Sequence, residues 1–345
     1  MASDLAPGPL FVVGVWRSGT SLLHALLNQH PQIALMYEGE LPTLWPLFWI
    51  PRVRSRWPVR WDFWNSALTR HQIDWKGIPP CRSRVRECSE AVYKQYATRK
   101  GGSIWGDKSP NYFDSLTRIA RTFPNARFII IWRDLSAICR SIIKAAKGDS
   151  YFAKRGMTFR ALLGSHRMKV ECDRLGAKGI SVHHIQYEEL VRDPASRMMG
   201  VCRFLGIPFD PRMTSLHGAD RTAVYEGEHH ALVKGNNIVP SSERAEVLSP
   251  RFRRKVERYT LLWKERYGGE WPVFPQSPGS QAGKPTLAER LFDRTRYRLL
   301  RSIDSSVRLI YCFVPLRLLR AYRGLKARNE VKAKQQQVIS RRGEA

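Results

Sequence analysis

Apolar runs and helix-like patterns alternate along the first two-thirds of the chain. "LFVVGV" (10–15), "SIWGDK" (103–108), "RFIIIWRD" (127–134) and "ISVHHIQY" (180–187) are short, strongly apolar segments of strand length. Between them, 20–29, 111–122, 135–147, 158–175 and 194–206 carry apolar residues at helical spacing. Strands that are apolar throughout, rather than on alternate positions, are buried on both faces. Joined by helices, they predict an α/β fold with a parallel sheet covered on both sides. Residues 40–86 break the rhythm with Trp45, Trp49, Trp57, Trp61, Trp64 and Trp75 among arginines and prolines. This insertion is expected to form a lid, a substrate-entry wall, a membrane-facing surface or an irregular subdomain packed on the core. "GGEWPVFPQSPGSQAGKP" (268–285) has the composition of a linker. The expected organisation is therefore a domain over 8–267, a linker over 268–285 and a helical tail over 286–345.

Charge changes this picture at the C-terminal end. The 345 residues carry 58 Lys/Arg against 30 Asp/Glu, a formal charge of +28. From Lys284 to Ala345 there are 16 Lys/Arg and 5 Asp/Glu. "RYRLLRSIDSSVRLIYCFVPLRLLRAYRGLK" mixes these arginines with large apolar residues, which suits a helix on an anionic membrane, on a partner, or docked on the preceding domain. So basic a chain favours anionic partners: nucleic acid, an acidic membrane face, or phosphorylated and sulfated small molecules. The six cysteines (81, 88, 139, 172, 202 and 312) form no CxxC pair and no zinc-spaced cluster, and they suit a reducing compartment. "MASDLAPGP" has neither a basic nor an apolar signal region, and no run approaches the roughly 20 apolar residues of a spanning helix. The expected location is cytoplasmic or peripheral on a membrane.

The chemistry is carried first by "GVWRSGTSLL" (14–23), between a strand and a helix. Gly14 and Gly19 have the spacing of the phosphate loop G-x-x-x-x-G-K-[ST], but Thr20 stands in place of the lysine. Main-chain N–H groups opening onto a helix N-terminus bind an anion whatever the side chains. Nucleoside triphosphate chemistry also needs the lysine and a metal-holding aspartate. The apolar strand that could carry that aspartate ends instead in "IIIWRD", with Arg133 ahead of Asp134. The loop suits a single phosphate with its attached group and no metal, which disfavours a P-loop kinase.

On these residues the chain resembles the sulfotransferases whose phosphosulfate loop has the form R-S-G-T-[ST]. That resemblance implies 3′-phosphoadenosine 5′-phosphosulfate (PAPS) as donor, no metal, and a 5′-phosphate wrapped by Arg17, Ser18, Gly19, Thr20 and Ser21. Trp16 departs from the pattern, where proline is usual. "IIIWRDLSAICRSIIK" resembles the family's 3′-phosphate site, with Arg133 and Ser141 as its contacts. "WGDKSPNY" resembles the element that brings Lys108 to the sulfuryl group. "QYEELVRDP" followed by "FLGIPFDP" resembles the stretch in which Tyr187 shapes the nucleotide pocket. "HALVKGNNI" resembles the closing loop, with Lys234, Gly235 and Asn236 toward the 3′-phosphate. The resemblance covers about 8–270. It implies a glutamate base about 20 residues beyond the loop arginine, where "NQHPQIALMYEGEL" supplies Glu38; Glu40, His24 and His30 are rivals. No third ligand accompanies His183 and His184, or the "GEHH" of 227–230, so no metal is expected.

The expected function is sulfuryl transfer to a hydroxyl of a carbohydrate or glycolipid-like acceptor. A basic nucleic-acid-binding protein is the reading from another class; it would use the Trp/Arg-rich insertion, but no known binding motif is present.

Overall fold

The computed structural model of the chain describes residues 8–43, 57–65, 70–74, 76, 78, 85–149, 151–154, 156–220, 222, 224, 235–238, 247–267, 283–322 and 324–325. Five strands, β1 (Leu10–Val13), β2 (Ile33–Tyr37), β3 (Ile104–Lys108), β4 (Arg127–Trp132) and β5 (Val182–Gln186), form one sheet. Their order is β2-β3-β1-β4-β5, and every pairing is parallel. The helices are α1 (Thr20–Leu27), α2 (Trp57–Asn65), α3 (Val85–Lys100), α4 (Leu116–Thr122), α5 (Leu135–Ala146), α6 (Met157–Gly176), α7 (Tyr187–Arg192), α8 (Pro194–Leu205), α9 (Pro250–Tyr267) and α10 (Leu287–Phe313).

The expected α/β architecture is present, and alternation along each strand explains it. Phe11 and Val13 face one core with Phe128 and Ile130, beneath α3, α5 and α6. Leu10 and Val12 face a second core with Ile129 and Ile131, beneath α1 and α8. Both faces are therefore dry, and the strands are apolar at every position.

Several elements differ from expectation, among them α3, α7 and α9, which no helical pattern had marked. β2 was not anticipated, because "IALMY" is a short apolar run that periodicity cannot separate from the end of a helix. The helix expected over 111–122 is instead a 3-10 turn (Pro110–Tyr112) followed by α4. The turn is fixed by Ser109, whose side chain accepts from Asn111 N–H.

Cys139, Cys172 and Cys202 are free and buried. Cys88 is disulfide-bonded, its partner not among the described side chains, where reduced thiols were expected. No helix among the described residues is long and apolar enough to cross a membrane.

β1 lies between β3 and β4, so the chain leaves the central strand toward one edge and later crosses to the other. Open α/β sheets bind ligands in the crevice at such a switch point, beyond the C-terminal ends of the strands. Each of the five strands ends at or just before a sequence-predicted site residue: the 14–21 loop after β1, Glu38 after β2, Lys108 closing β3, Arg133 after β4 and Tyr187 after β5.

Candidate active site

The loop after β1 turns on two glycines. Gly19, at φ +98°, is the left-handed N-cap of α1, and a Cβ there would sit 2.3 Å from the Tyr187 ring. A Cβ on Gly14 would meet Ser18 Oγ at 2.3 Å. Arg17 itself has φ +68°, a conformation costly for a side-chain-bearing residue. The turn is closed by Ser18 N–H donating to the Val15 carbonyl at 3.1 Å. Ser18 is buried, and its Oγ has no hydrogen-bond partner among the described residues. A buried hydroxyl without a partner, in a cradle that admits no extra carbon, fits a bound anion.

Two guanidinium groups meet beside this cradle. Arg17 Nε donates to Ser141 Oγ at 3.0 Å, and Arg133 donates to the Arg17 carbonyl at 2.9 Å. Arg133 is buried and stacks over the Tyr187 ring at 4.3 Å. Burial, and then the charge of Arg133, pull the Arg17 pKa down to about 10. Ser141 sits on α5, whose N-cap is Asp134, accepting from Ala137 N–H at 2.7 Å. The structure thus brings Arg17, Arg133, Ser141 and Tyr187 together. Thr20 is buried at the first position of α1. Gly235 and Asn236 are exposed, the Asn236 carbonyl accepting from Leu216 N–H at 3.2 Å; Lys234 lies outside the described residues.

The second half of the site is built on β2 and β3. Lys108 has no exposed surface. Its Nζ donates to Glu38 Oε1 at 2.8 Å and to Ser21 Oγ at 3.3 Å, and it lies 3.4 Å from the centre of the Tyr37 ring, its cross-strand neighbour. Burial lowers the Lys108 pKa, and the Glu38 carboxylate opposes that shift. Tyr37 Oη and Ser21 Oγ share a hydrogen bond of 2.7 Å. Lys108 therefore bridges the glutamate and the start of α1.

The rival bases have other partners. Glu40 is buried and accepts from Ser109 Oγ and from the Asn111 amide. His24 bonds to the Leu35 carbonyl at 2.9 Å, and burial drops its pKa to about 3. His30 bonds to the Pro208 carbonyl at 2.9 Å. His184 accepts from Trp132 Nε1 at 3.0 Å, and His183 stacks on Phe204. The "GEHH" histidines lie outside the described residues.

Sequence reasoning missed the group that holds Glu38 in position. Asp107, fully buried, accepts from Gly39 N–H at 3.0 Å, Glu40 N–H at 2.7 Å, Tyr93 Oη at 3.2 Å and Tyr112 Oη. Burial raises its pKa to about 6. Glu38 and Glu40 both have positive φ, so this turn is bent against preference and needs such an anchor. Trp61 Nε1 donates to the Gly39 carbonyl at 2.6 Å, and Arg70 to the Glu38 carbonyl at 3.2 Å. In the Trp-rich insertion, Trp57 and Trp61 are buried against the core, while Trp45, Trp49 and Trp75 lie outside the described residues. The available signals were the aspartate of "WGDKSPNY" and a tryptophan in apolar surroundings, where each needs a partner.

The sulfotransferase family profile matches residues 9–211, more than half of the chain and every site residue named above except those at 234–236. The chain belongs to the sulfotransferase family. Among curated sulfotransferases and related proteins, it is 27% identical over 206 residues to protein-tyrosine sulfotransferase 1 of Danio rerio, covering 58% of this chain and 54% of that one. It is 32% identical over 157 residues to nodulation protein NoeE of Sinorhizobium fredii, covering 45% and 36%. The chain spans about half the length, or less, of these relatives. Solved sulfotransferase domains share its fold. That of the Synechococcus olefin synthase superposes with a TM-score of 0.53 at 20% identity, over 78% of this chain and 98% of that one. That of the curacin biosynthetic pathway superposes with a TM-score of 0.52 at 18% identity, over 77% and 99%.

Proposed function

We propose that this sulfotransferase moves the sulfuryl group of PAPS to a hydroxyl of a carbohydrate or glycolipid-like acceptor, with Glu38 as base and Lys108 at the leaving oxygen. The observation that carries this reading is the position of Lys108 Nζ, 2.8 Å from Glu38 and 3.3 Å from Ser21 at the mouth of the anion loop. The donor fits the residues present: Ser18 and the turn to α1 for the 5′-phosphate, and Arg133 with Ser141 for the 3′-phosphate.

In the proposed reaction the acceptor hydroxyl gives its proton to the Glu38 carboxylate as its oxygen attacks sulfur. The bond from sulfur to the bridging phosphate oxygen breaks, and adenosine 3′,5′-bisphosphate leaves. Glu38 loses its charge on accepting the proton, so its hold on Lys108 weakens as negative charge grows on the leaving oxygen. The ammonium of Lys108 and the N–H groups opening α1 stabilise that charge. The base and the electrostatic stabiliser are thus coupled through one ion pair.

A phenolic acceptor is a second reading, favoured by the likeness to proteins named as protein-tyrosine sulfotransferases. Titration calorimetry with adenosine 3′,5′-bisphosphate in EDTA tests the donor site. Binding is expected in the wild type and about 10- to 100-fold weaker in Arg133→Ala, the loss for a charge-assisted phosphate contact. No binding, or equal binding in both proteins, overturns the reading. A radiolabelled-donor screen of sugars, glycolipids and tyrosine peptides then separates the acceptor classes.

A further inference from the structure

Helix α10 uses only one face to dock on the body of the protein. Asp293 is buried and accepts from Lys255 Nζ at 2.6 Å and Tyr259 Oη at 2.9 Å. Tyr297, also buried, donates to Asp114 at 3.0 Å, and Arg301 pairs with the same carboxylate at 2.6 Å. Asp304 pairs with Arg160, and Glu289 with Arg258 at 2.5 Å. Every acidic residue of α10 is thereby tied to a basic group of the body.

The opposite face is apolar and, among the described residues, uncovered. Phe292, Leu299, Ile303, Ile310 and Phe313 are 52–68% exposed, at helical spacings that form one stripe. From Leu291 to Phe313 it runs roughly 33 Å at the helical rise. Leu318, Tyr322 and Leu325, each more than half exposed, extend the apolar surface beyond the break at Pro315. Arg294 and Arg298, both exposed, flank the stripe on the Leu291 side, and Arg296, exposed and with its guanidinium 4.5 Å from the centre of the Phe159 ring, flanks it on the other. Contiguous exposed apolar surface of this kind, rimmed by polar residues, marks an interaction site.

We propose that this outward face of α10 seats the protein on an anionic lipid bilayer, lying in the headgroup region with its arginines on lipid phosphates and carboxylates. Charge decides the occupant. A self-complementary contact between two copies would bring arginine rows together with no carboxylate on the face to pair them, which disfavours a second copy. Arginine-bordered apolar stripes are matched to an acidic lipid surface, where the long basic side chains reach the headgroups. The seat is also joined to the site. Arg160, the partner of Asp304, stacks over the Trp16 ring of the anion loop at 5.2 Å, and Arg60 of α2 donates to the Val314 carbonyl at 3.1 Å. Lipid contact would therefore hold the site beside the bilayer, independently of which acceptor it sulfates.

Co-sedimentation of the full chain with phosphatidylcholine vesicles, with and without phosphatidylserine, tests this. The wild type is expected to pellet with the phosphatidylserine vesicles and to be released by salt. A Leu299→Ser/Ile303→Ser/Ile310→Ser variant should lose about tenfold or more in partitioning while still binding adenosine 3′,5′-bisphosphate as the wild type does. Arg294→Glu/Arg298→Glu keeps the stripe and should lose the preference for phosphatidylserine. The proposal is overturned if the wild type ignores anionic vesicles, or if the serine variant pellets equally well. It is also overturned if sedimentation equilibrium shows a dimer that the serine substitutions dissolve. The vesicle assay contains no nucleotide, so its failure is distinct from failure of the donor site.

Discussion

Lys108 and Glu38 form an ion pair with one partner wholly buried, and pairs of this kind gain little stability because desolvation offsets attraction. Its value on the proposed reaction is positional. Glu38→Gln should keep a polar partner for Lys108 and preserve bisphosphate binding. It should lower kcat by about 10²- to 10⁴-fold, the usual worth of a general base; unchanged kcat would remove Glu38 from the role. Gly19→Ala should abolish bisphosphate binding in the same calorimetric assay, because its methyl group would drive into Tyr187 at a left-handed φ. Asp107 carries a pH signature. Its pKa rises from 3.8 to about 6 on burial, so the folded protein holds a proton that the unfolded chain releases in that window. The stability that Asp107 lends therefore falls as pH rises from 3.8 to about 6. Denaturant titrations should show the difference between wild type and Asp107→Asn shrinking across that range, and a constant difference would refute it. Arg17, Arg133, Ser141, Lys108 and Glu38 were singled out in the sequence through their resemblance to family motifs, and the fold carries them on the loops after β1 and β2, at the end of β3, after β4 and on α5. Asp107 was quoted within such a motif without a role. Its partners Tyr93 and Tyr112 come from other elements, and local pattern does not reveal which residues fold together.

At the scale of elements, the short edge strand β2 is the least legible piece and one of the most elaborately secured. An edge strand leaves every second residue's N–H and C=O without a neighbouring strand. Here side chains take that place. Asn28 accepts from Leu35 N–H at 2.8 Å and donates to the Leu35 carbonyl at 2.9 Å, His24 meets the same carbonyl, and His71 bonds to the Tyr37 carbonyl at 2.8 Å. Asn28→Ala should cost about 1–3 kcal/mol in denaturant unfolding, the penalty for stranding buried main-chain groups. Burial holds both His24 and His71 at a pKa of about 3, below the ordinary 6.5. The unfolded chain binds protons first, so their contribution is intact above pH 6.5 and is lost as pH falls toward 3. His71→Gln keeps a donor for Tyr37, and it should flatten the acid limb of the stability curve measured by denaturant titration. The parallel sheet itself was legible because its strands are apolar on both faces. β2 was not, because its hydrogen-bond partners on the open edge are side chains from a helix and an insertion.

The whole molecule is a strongly basic body whose proposed anion site collects cations from distant parts of the chain. Arg17 and Arg133 are held close enough for each other's charge to matter, a repulsion that an anion relieves. Ligand binding should therefore raise the melting temperature, by an amount that shrinks as salt screens the site. On the proposed reaction, the groups these arginines and Ser18 would grip are the two phosphates, and the product keeps both of them. The part of the donor that is lost, the sulfuryl group, is the part these residues touch least. The spent nucleotide then competes for the site on nearly equal terms with the fresh one. Sulfation by such a protein would follow the ratio of charged to spent nucleotide, and its throughput would depend on whatever clears the spent form.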